Sequence, residues 1–313
     1  MTERDAVLYT DPRYELQAQD EADVKVQIVR GPLWSALAKT AARRKIGVLG
    51  LESEHISHQS WRVFAGEAGA GIRLKGVTGL VEGLRAVKDA GEIEAIRLSV
   101  LLNSKAYERT LRLIKPGVRE RDIAAELDYQ MRRLGAEGPA FETIVAAGAR
   151  SALPHARPTD QALGANQLVL IDMGASRNGY ASDMTRVVHL GKPARLAERM
   201  YKAVLEAQLA AIDRVRAGVP ARVVDREARL TLKRWKLDHT FQHSTGHGLG
   251  LEIHEGPRIG KNSETKLETG MVITVEPGAY VEGFGGVRIE DTVRVTETGC
   301  EVLTPTRKDL LVI

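Results

Sequence analysis

The chain has 313 residues, 43% hydrophobic and 27% charged, the balance of a globular protein with room for one large domain or two smaller ones. Its net charge of +4 comes from Lys and Arg interleaved with Asp and Glu, and three Trp and four Phe leave few rings to stack on bases, which speaks against a nucleic-acid partner. A single cysteine, Cys300, excludes an internal disulfide and a cysteine-built zinc site.

The first 80 or so residues alternate short apolar runs with helical patterns. AVLYT (6–10) reads as a strand, and DPRYELQAQDEA (11–22) as a helix with Asp11 as cap and Pro12 at its first position. VKVQIVR (24–30) is a strand, LWSALAKTAARR (33–44) a helix, IGVLG (46–50) a strand and HISHQSWRVFAG (55–66) another helix. That alternation predicts a small α/β unit.

The texture then changes. Residues 89–114 place Ile93, Ile96, Val100, Tyr107, Leu111 and Ile114 on one helical face, ended by Lys115-Pro116-Gly117. A second helix runs up to Gly135 with Ile123, Leu127, Met131 and Leu134 aligned. A third covers 194–216, aligning Met200, Val204, Ala207, Ala211 and Val215, and a fourth runs from Val223 to Trp235. Strand patterns occupy 167–175, 183–190, 270–281 and 285–296. The body from about 80 to 313 is therefore expected to be α+β, with hairpin-built sheet and a weak echo between halves. No apolar run is long enough to span a bilayer, and the opening MTERDAV shows no basic-then-apolar leader, so a soluble cytoplasmic protein is expected, with no membrane partner.

Two hairpins carry acids. Asp172 ends the run LVLI, and Asp183 returns after a stretch containing Asn178-Gly179, good turn material. Glu276 ends MVITV, and Glu290 returns after another turn-rich stretch. Four gathered carboxylates repel strongly at low dielectric unless divalent cations sit among them. STGHGLGLEIHEGP (244–257) embeds His247 and His254 in glycine, and His247 is the natural fifth ligand. Each residue alone has a blander reading. A strand-end acid is usually a turn or ion-pair residue, and a histidine in a glycine-rich loop usually a surface one. The set carries the argument.

The motifs FETIVAAGARSALPHARPTD (141–160), LVLIDMGASRNGYASDMTR (168–186), HSTGHGLGLEIHEGP (243–257), MVITVEPGAY (271–280) and GGVRIEDTVRVT (285–296) occur in an order that resembles the pita-bread metallopeptidases. The likeness is to their proline-peptidase branch, the Xaa-Pro aminopeptidases and Xaa-Pro dipeptidases (prolidases). It covers the chain from about 80 to the C-terminus. It implies a pita-bread catalytic domain over 81–313, preceded by an α/β amino-terminal domain over 1–80. YTDPRYELQAQDEA looks like a mid-domain motif of relatives yet begins at residue 9, so that first domain is expected to be shortened.

The resemblance implies that Asp172, Asp183, His247, Glu276 and Glu290 hold two divalent metal ions, with Mn, Co, Zn or Fe as candidates. Glu276 is implied to take and return a proton. His155 and His254 are implied to line the substrate side, with His243 near the pocket and Arg288 beside the metal-binding strand. Arg258 matches a position that binds the substrate carboxylate in some prolidases, although a loop arginine is usually just solvated. The implied substrates are peptides with proline in second position, and a homodimer is possible. The expectation leans to an Xaa-Pro aminopeptidase, with the dipeptidase as alternative. Creatinase shares the fold but lacks this ligand set, and methionine aminopeptidases differ around the first histidine. Non-catalytic binding relatives have lost ligands, and none is lost here. The glycines of TGHGLG are expected to let backbone approach the metal and free His247 to point inward.

Overall fold

A computed structural model describes residues 1–2, 5–69 and 71–313. The chain divides into two units, Met1–Leu80 and Val81–Ile313. In the first, β1 (Val7–Thr10) leads through α1 (Glu15–Glu21) to β2 (Lys25–Ile28), and the two strands pair in parallel. Asp11 caps the entry, accepting from the Arg13 N–H, with Pro12 just inside a 3-10 turn that precedes α1. After α2 (Leu33–Arg43), the unit repeats the pattern: β3 (Val48–Glu52), α3 (His58–Ala68) and β4 (Arg73–Val77), with β3 and β4 again parallel. Parallel neighbours need a crossover, and the helices supply it. Ala38, Ala41, Leu51, Phe64 and Ile72 form its core. β4 has no counterpart among the expected strands, since RLKGV breaks its alternation at Gly76, and α3 starts later than expected. Ser57, which accepts from the Ser60 N–H, is the actual cap.

α4 (Leu80–Ala86) is followed by α5 (Ala90–Thr110) and α6 (Glu120–Arg133). Asp89 and Glu92 make a reciprocal capping box at the start of α5. Short β5 (Gly138–Pro139) precedes β6 (Ile144–Ala147) and β7 (Gln167–Met173). A small hairpin, β8 (Ala175–Arg177) and β9 (Tyr180–Ala181), turns at Asn178-Gly179, both with positive φ as such a turn demands. β10 (Met184–Leu190) then returns antiparallel to β7. α7 (Arg195–Ile212) and α8 (Ala221–Arg234) form the second helix pair.

The remaining strands are β11 (Gly246–Gly248), β12 (Glu255–Ile259), β13 (Val272–Val275), β14 (Gly278–Val281), β15 (Gly285–Arg288), β16 (Asp291–Val295), β17 (Cys300–Val302) and β18 (Leu311–Val312). The larger sheets run β18-β10-β7-β6 and β12-β11-β13-β16-β17, with β14-β15 a separate ladder. β7 explains the apolar run QLVLI. Val169, Ile171 and Met173 pack in the core with α5 and α6, while Leu168 and Leu170 pack in the core with α7. A strand covered on both faces has no polar face to show.

The segments 270–281 and 285–296, each a single strand by its sequence pattern, are each broken in two. β13 pairs with β16 up to Val275↔Asp291, and β14 with β15 from Gly278↔Arg288. Between them the chain pair passes from one sheet to the other, and Pro277 has no N–H to continue a ladder. Glu276 and Glu290 sit at that passage. Their N–H groups leave the ladder and donate to Thr245 O and Thr185 O instead.

Candidate active site

Every site residue expected from the sequence lines one cavity of about 720 Å³. Asp172 lies near the end of β7, across from Thr185, and Asp183 immediately precedes β10. Glu276 and Glu290 come from the sheet-to-sheet passage, and His247 from the middle of β11. His155 and His254 expose their rings on the cavity wall, and His243 is more buried. Arg258 was expected in a loop. It lies on β12, which pairs with β11 through Gly246↔Ile259 and Gly248↔Glu255.

The acids are strained electrostatically. Burial, then the neighbouring Glu290 and Asp172, hold the Asp183 carboxyl well above the usual carboxylate range. Burial, then Glu276 and Asp172, do the same to Glu290. Burial pushes Glu276 up to about 8. Arg288, itself only 2% exposed, faces this set. It donates from Nη2 to Asp172 Oδ2 at 2.5 Å, from Nε to Thr185 Oγ1 at 3.0 Å and from Nη1 to Tyr280 Oη at 2.7 Å. Thr185 Oγ1 in turn donates a hydrogen bond to Glu290 Oε2 at 2.7 Å.

His247 is held unprotonated on the side that matters. Its Nδ1 lies 3.0 Å from Gly248 O, so Nδ1 donates there and Nε2 keeps a bare lone pair. Burial lowers its pKa to about 4. That lone pair stands 3.6 Å from Asp183 Oδ2 and 3.6 Å from Glu276 Oε1, too far for hydrogen bonds. Ligand atoms of Asp183, His247 and Glu290 lie within 4.8 Å of one another. Donors each about 2 Å from a shared cation lie roughly 3–4 Å apart, as His247 Nε2 does from Asp183 and Glu276 at 3.6 Å. Asp172 Oδ1 and Asp183 Oδ1 are buried without a hydrogen-bond partner among the described residues. Carboxylate and imidazole ligand atoms converging without hydrogen bonds to one another are what a divalent cation satisfies, so the residues present fit a carboxylate-rich metal centre.

The glycines are required by strand packing. A Cβ at Gly246 would lie 2.0 Å from Thr274 O, and one at Gly248 2.0 Å from Gly256 O. They admit close approach of β12 and β13 to β11. Sequence reasoning also missed Tyr280, whose hydroxyl lies 2.8 Å from His243 Nε2. Since His243 Nδ1 lies 2.8 Å from Ser244 O and donates there, Tyr280 donates to Nε2. Burial, then Arg288, lower the His243 pKa to about 3, which keeps that acceptor free. Tyr280 sits within MVITVEPGAY, but a tyrosine in an apolar strand reads as core.

Residues 94–297 match the family model for metallopeptidase family M24. The Xaa-Pro dipeptidase of Pyrococcus furiosus is 45% identical over 238 residues, 76% of this chain and 68% of that protein. The chain belongs to metallopeptidase family M24. It is thus a hydrolase, and membership implies divalent metal ions. The crystal structure of X-Pro aminopeptidase from Thermotoga maritima MSB8 superposes with a TM-score of 0.93 at 40% identity, covering 100% of this chain and 89% of that one. Xaa-Pro dipeptidase from Bacillus anthracis superposes with a TM-score of 0.97 at 37% identity, covering 100% and 88%. The α+β pita-bread architecture expected from the sequence is the one this family carries. No helix among the described residues is long and apolar enough to cross a membrane.

Proposed function

We propose that the protein is an Xaa-Pro dipeptidase that works with two divalent cations held by Asp172, Asp183, His247, Glu276 and Glu290. This reverses the lean toward an aminopeptidase drawn from the sequence, and Arg258 is the observation that carries it. It is exposed, as a solvated arginine would be, but it lies on β12 and not in a loop. On β12 it stands beside the strand that presents His247, and both line one cavity. No acidic side chain among the described residues pairs with Arg258, which leaves its guanidinium for a carboxylate at the cavity edge. The relatives named Xaa-Pro dipeptidase support the same reading, including one from Pyrococcus horikoshii at 41% identity. The T. maritima structure supports the aminopeptidase as the second reading.

A bond before proline is a tertiary amide with no N–H, and the ring fixes φ. Recognition must therefore fall on the ring and the two chain ends. Phe141, Ile144 and Pro154 give the cavity an apolar wall suited to a pyrrolidine ring. Arg258 would hold the proline carboxylate. His155 and His254 would hold the substrate and the charge that develops on its carbonyl oxygen. Divalent cations in the acid cluster supply a polarised carbonyl and a water acidic enough to attack at neutral pH. Glu276, in van der Waals reach of the His247 lone pair, would take the proton from that water and return it to the departing proline nitrogen. Arg288 would hold the Asp172 carboxylate in place through the Nη2–Oδ2 bond.

Residues 81–313 would form the catalytic domain and residues 1–80 a creatinase-type amino-terminal one. The test is release of free proline from an Ala-Pro dipeptide by protein stripped of metal and reloaded with Mn²⁺. The reading expects Mn²⁺-dependent release that Asp172→Ala abolishes. Release that persists in metal-free protein or in Asp172→Ala would overturn it.

A further inference from the structure

The run Phe241–Thr245 links a 3-10 turn at Asp238–Thr240 to β11 and belongs to no strand. It carries His243 and delivers His247. Its carbonyls need partners from outside. Arg229 on α8 supplies two of them, donating from Nη1 to Phe241 O at 3.0 Å and from Nη2 to His243 O at 2.6 Å. Its guanidinium carbon lies 4.3 Å from the centroid of the Phe241 ring, and that ring meets His243 edge-on at 4.8 Å. Asp225, one turn earlier, fixes the guanidinium with two bonds of 2.8 and 3.1 Å. The same carboxylate accepts from Thr245 Oγ1 at 2.9 Å, and Thr245 O accepts the Glu276 N–H at 2.7 Å.

We infer that the Asp225–Arg229 pair is a positioning clamp that sets where His243, His247 and Glu276 stand. One ion pair on one helical turn reaches residues 241, 243 and 245, and through Thr245 the backbone of a fourth. Asp225 is 1% exposed, so its charge is there at a desolvation cost that only specific bonds offset. Neither residue lines the active-site cavity. Both line a separate cleft of about 330 Å³, so any effect on metal or substrate passes through the strand they hold. The planar fork of arginine spans two carbonyls at once, which a lysine ammonium does not reproduce. Metal ligands must be held to about 0.5 Å, and the Arg229 fork adds two carbonyl bonds to the Thr245 N–H bond to Ile259 O at 2.8 Å and the Tyr280 bond to His243 at 2.8 Å.

The inference rests on the metal-centre reading of His247, and the experiment separates the two. Mn²⁺ affinity of stripped protein is measured by calorimetry, and the absorption bands of the Co²⁺-loaded protein report ligand geometry. Wild type is compared with Arg229→Met, Arg229→Lys, His247→Ala and Val224→Ala, which loses packing on the same helix without touching the clamp. Arg229→Met is expected to bind Mn²⁺ about 10- to 100-fold more weakly, with altered Co²⁺ bands, and Arg229→Lys to recover only part. Val224→Ala is expected to lower Tm and leave affinity and bands as in wild type. Wild-type affinity in folded Arg229→Met overturns the clamp. So does affinity that falls in step with Tm across all variants, including Val224→Ala. If Arg229→Met does not fold, Asp225→Asn carries the same expectation and the same contrary result. Wild-type affinity in His247→Ala would overturn the metal-centre reading itself, and the clamp with it.

Discussion

Arg288 Nη2 lies 2.5 Å from Asp172 Oδ2, while Oδ1 of the same carboxylate is buried with no hydrogen-bond partner among the described residues. One oxygen is thus neutralised by the protein and the other is left for a cation. Arg288→Met should leave a buried carboxylate uncompensated, a loss of about 3–5 kcal/mol in metal-free protein. Saturating Mn²⁺ should return more of the lost Tm than it adds to wild type, because a cation on Asp172 replaces the missing charge. Melting curves with and without Mn²⁺ check this. Equal Tm losses in both conditions would show that Arg288 only packs.

The acids predict a pH signature. Glu276, raised from 4.5 to about 8, holds its proton in the metal-free protein at neutral pH, and Asp183 and Glu290 shift the same way. Folded protein then binds more protons than unfolded chain, so metal-free stability should fall as pH rises, until Glu276 has titrated at about 8. His247 and His243 oppose this only below their ordinary value of 6.5, so the window from 6.5 to 8 isolates the carboxyls. Mn²⁺ uptake near pH 7 should release protons. Calorimetry in buffers of different ionisation enthalpy measures that release. No buffer dependence would mean the carboxyls are already ionised.

Gly246→Ala places a methyl 2.0 Å from the Thr274 carbonyl oxygen, backbone against backbone. Overpacking of this kind costs about 1–3 kcal/mol, and relief requires β11 to move away from β13. Both His247 and the Glu276 end of β13 would shift, so a folded variant should lose Mn²⁺ affinity. Gly256→Ala meets nothing within 4 Å and is the matched control. Equal Mn²⁺ affinity in the two variants would contradict the account.

Much of this was legible in the sequence because it rests on short-range rules. Ile93, Ile96 and Val100 announce α5 by their spacing, and Asn178-Gly179 announces its turn by the φ it needs. The metal-ligand candidates showed as acids ending apolar runs. What stayed hidden depends on pairing across the fold. Pro277 marks a break in the ladder after Glu276, but nothing local says that two strands change sheets there. Arg258 looked like a loop residue because EGPRI is too short and too broken by glycine and proline to read as a strand. Only the ladder with β11 makes it one. Tyr280, Asp225 and Arg229 act through partners distant in sequence, and each reads locally as core or as a solvated helix face.

The dipeptidase reading turns on where the substrate ends. The measurement is kcat/KM of the Mn²⁺-loaded protein for Ala-Pro against Ala-Pro-Ala, for wild type and Arg258→Ala. The account predicts a strong preference for the dipeptide in wild type, and a loss in Arg258→Ala expressed mainly as a higher KM for Ala-Pro. Losing a charge-assisted bond to the carboxylate is worth about tenfold or more. Equal or better cleavage of Ala-Pro-Ala, unchanged by Arg258→Ala, would contradict it and make the protein an aminopeptidase.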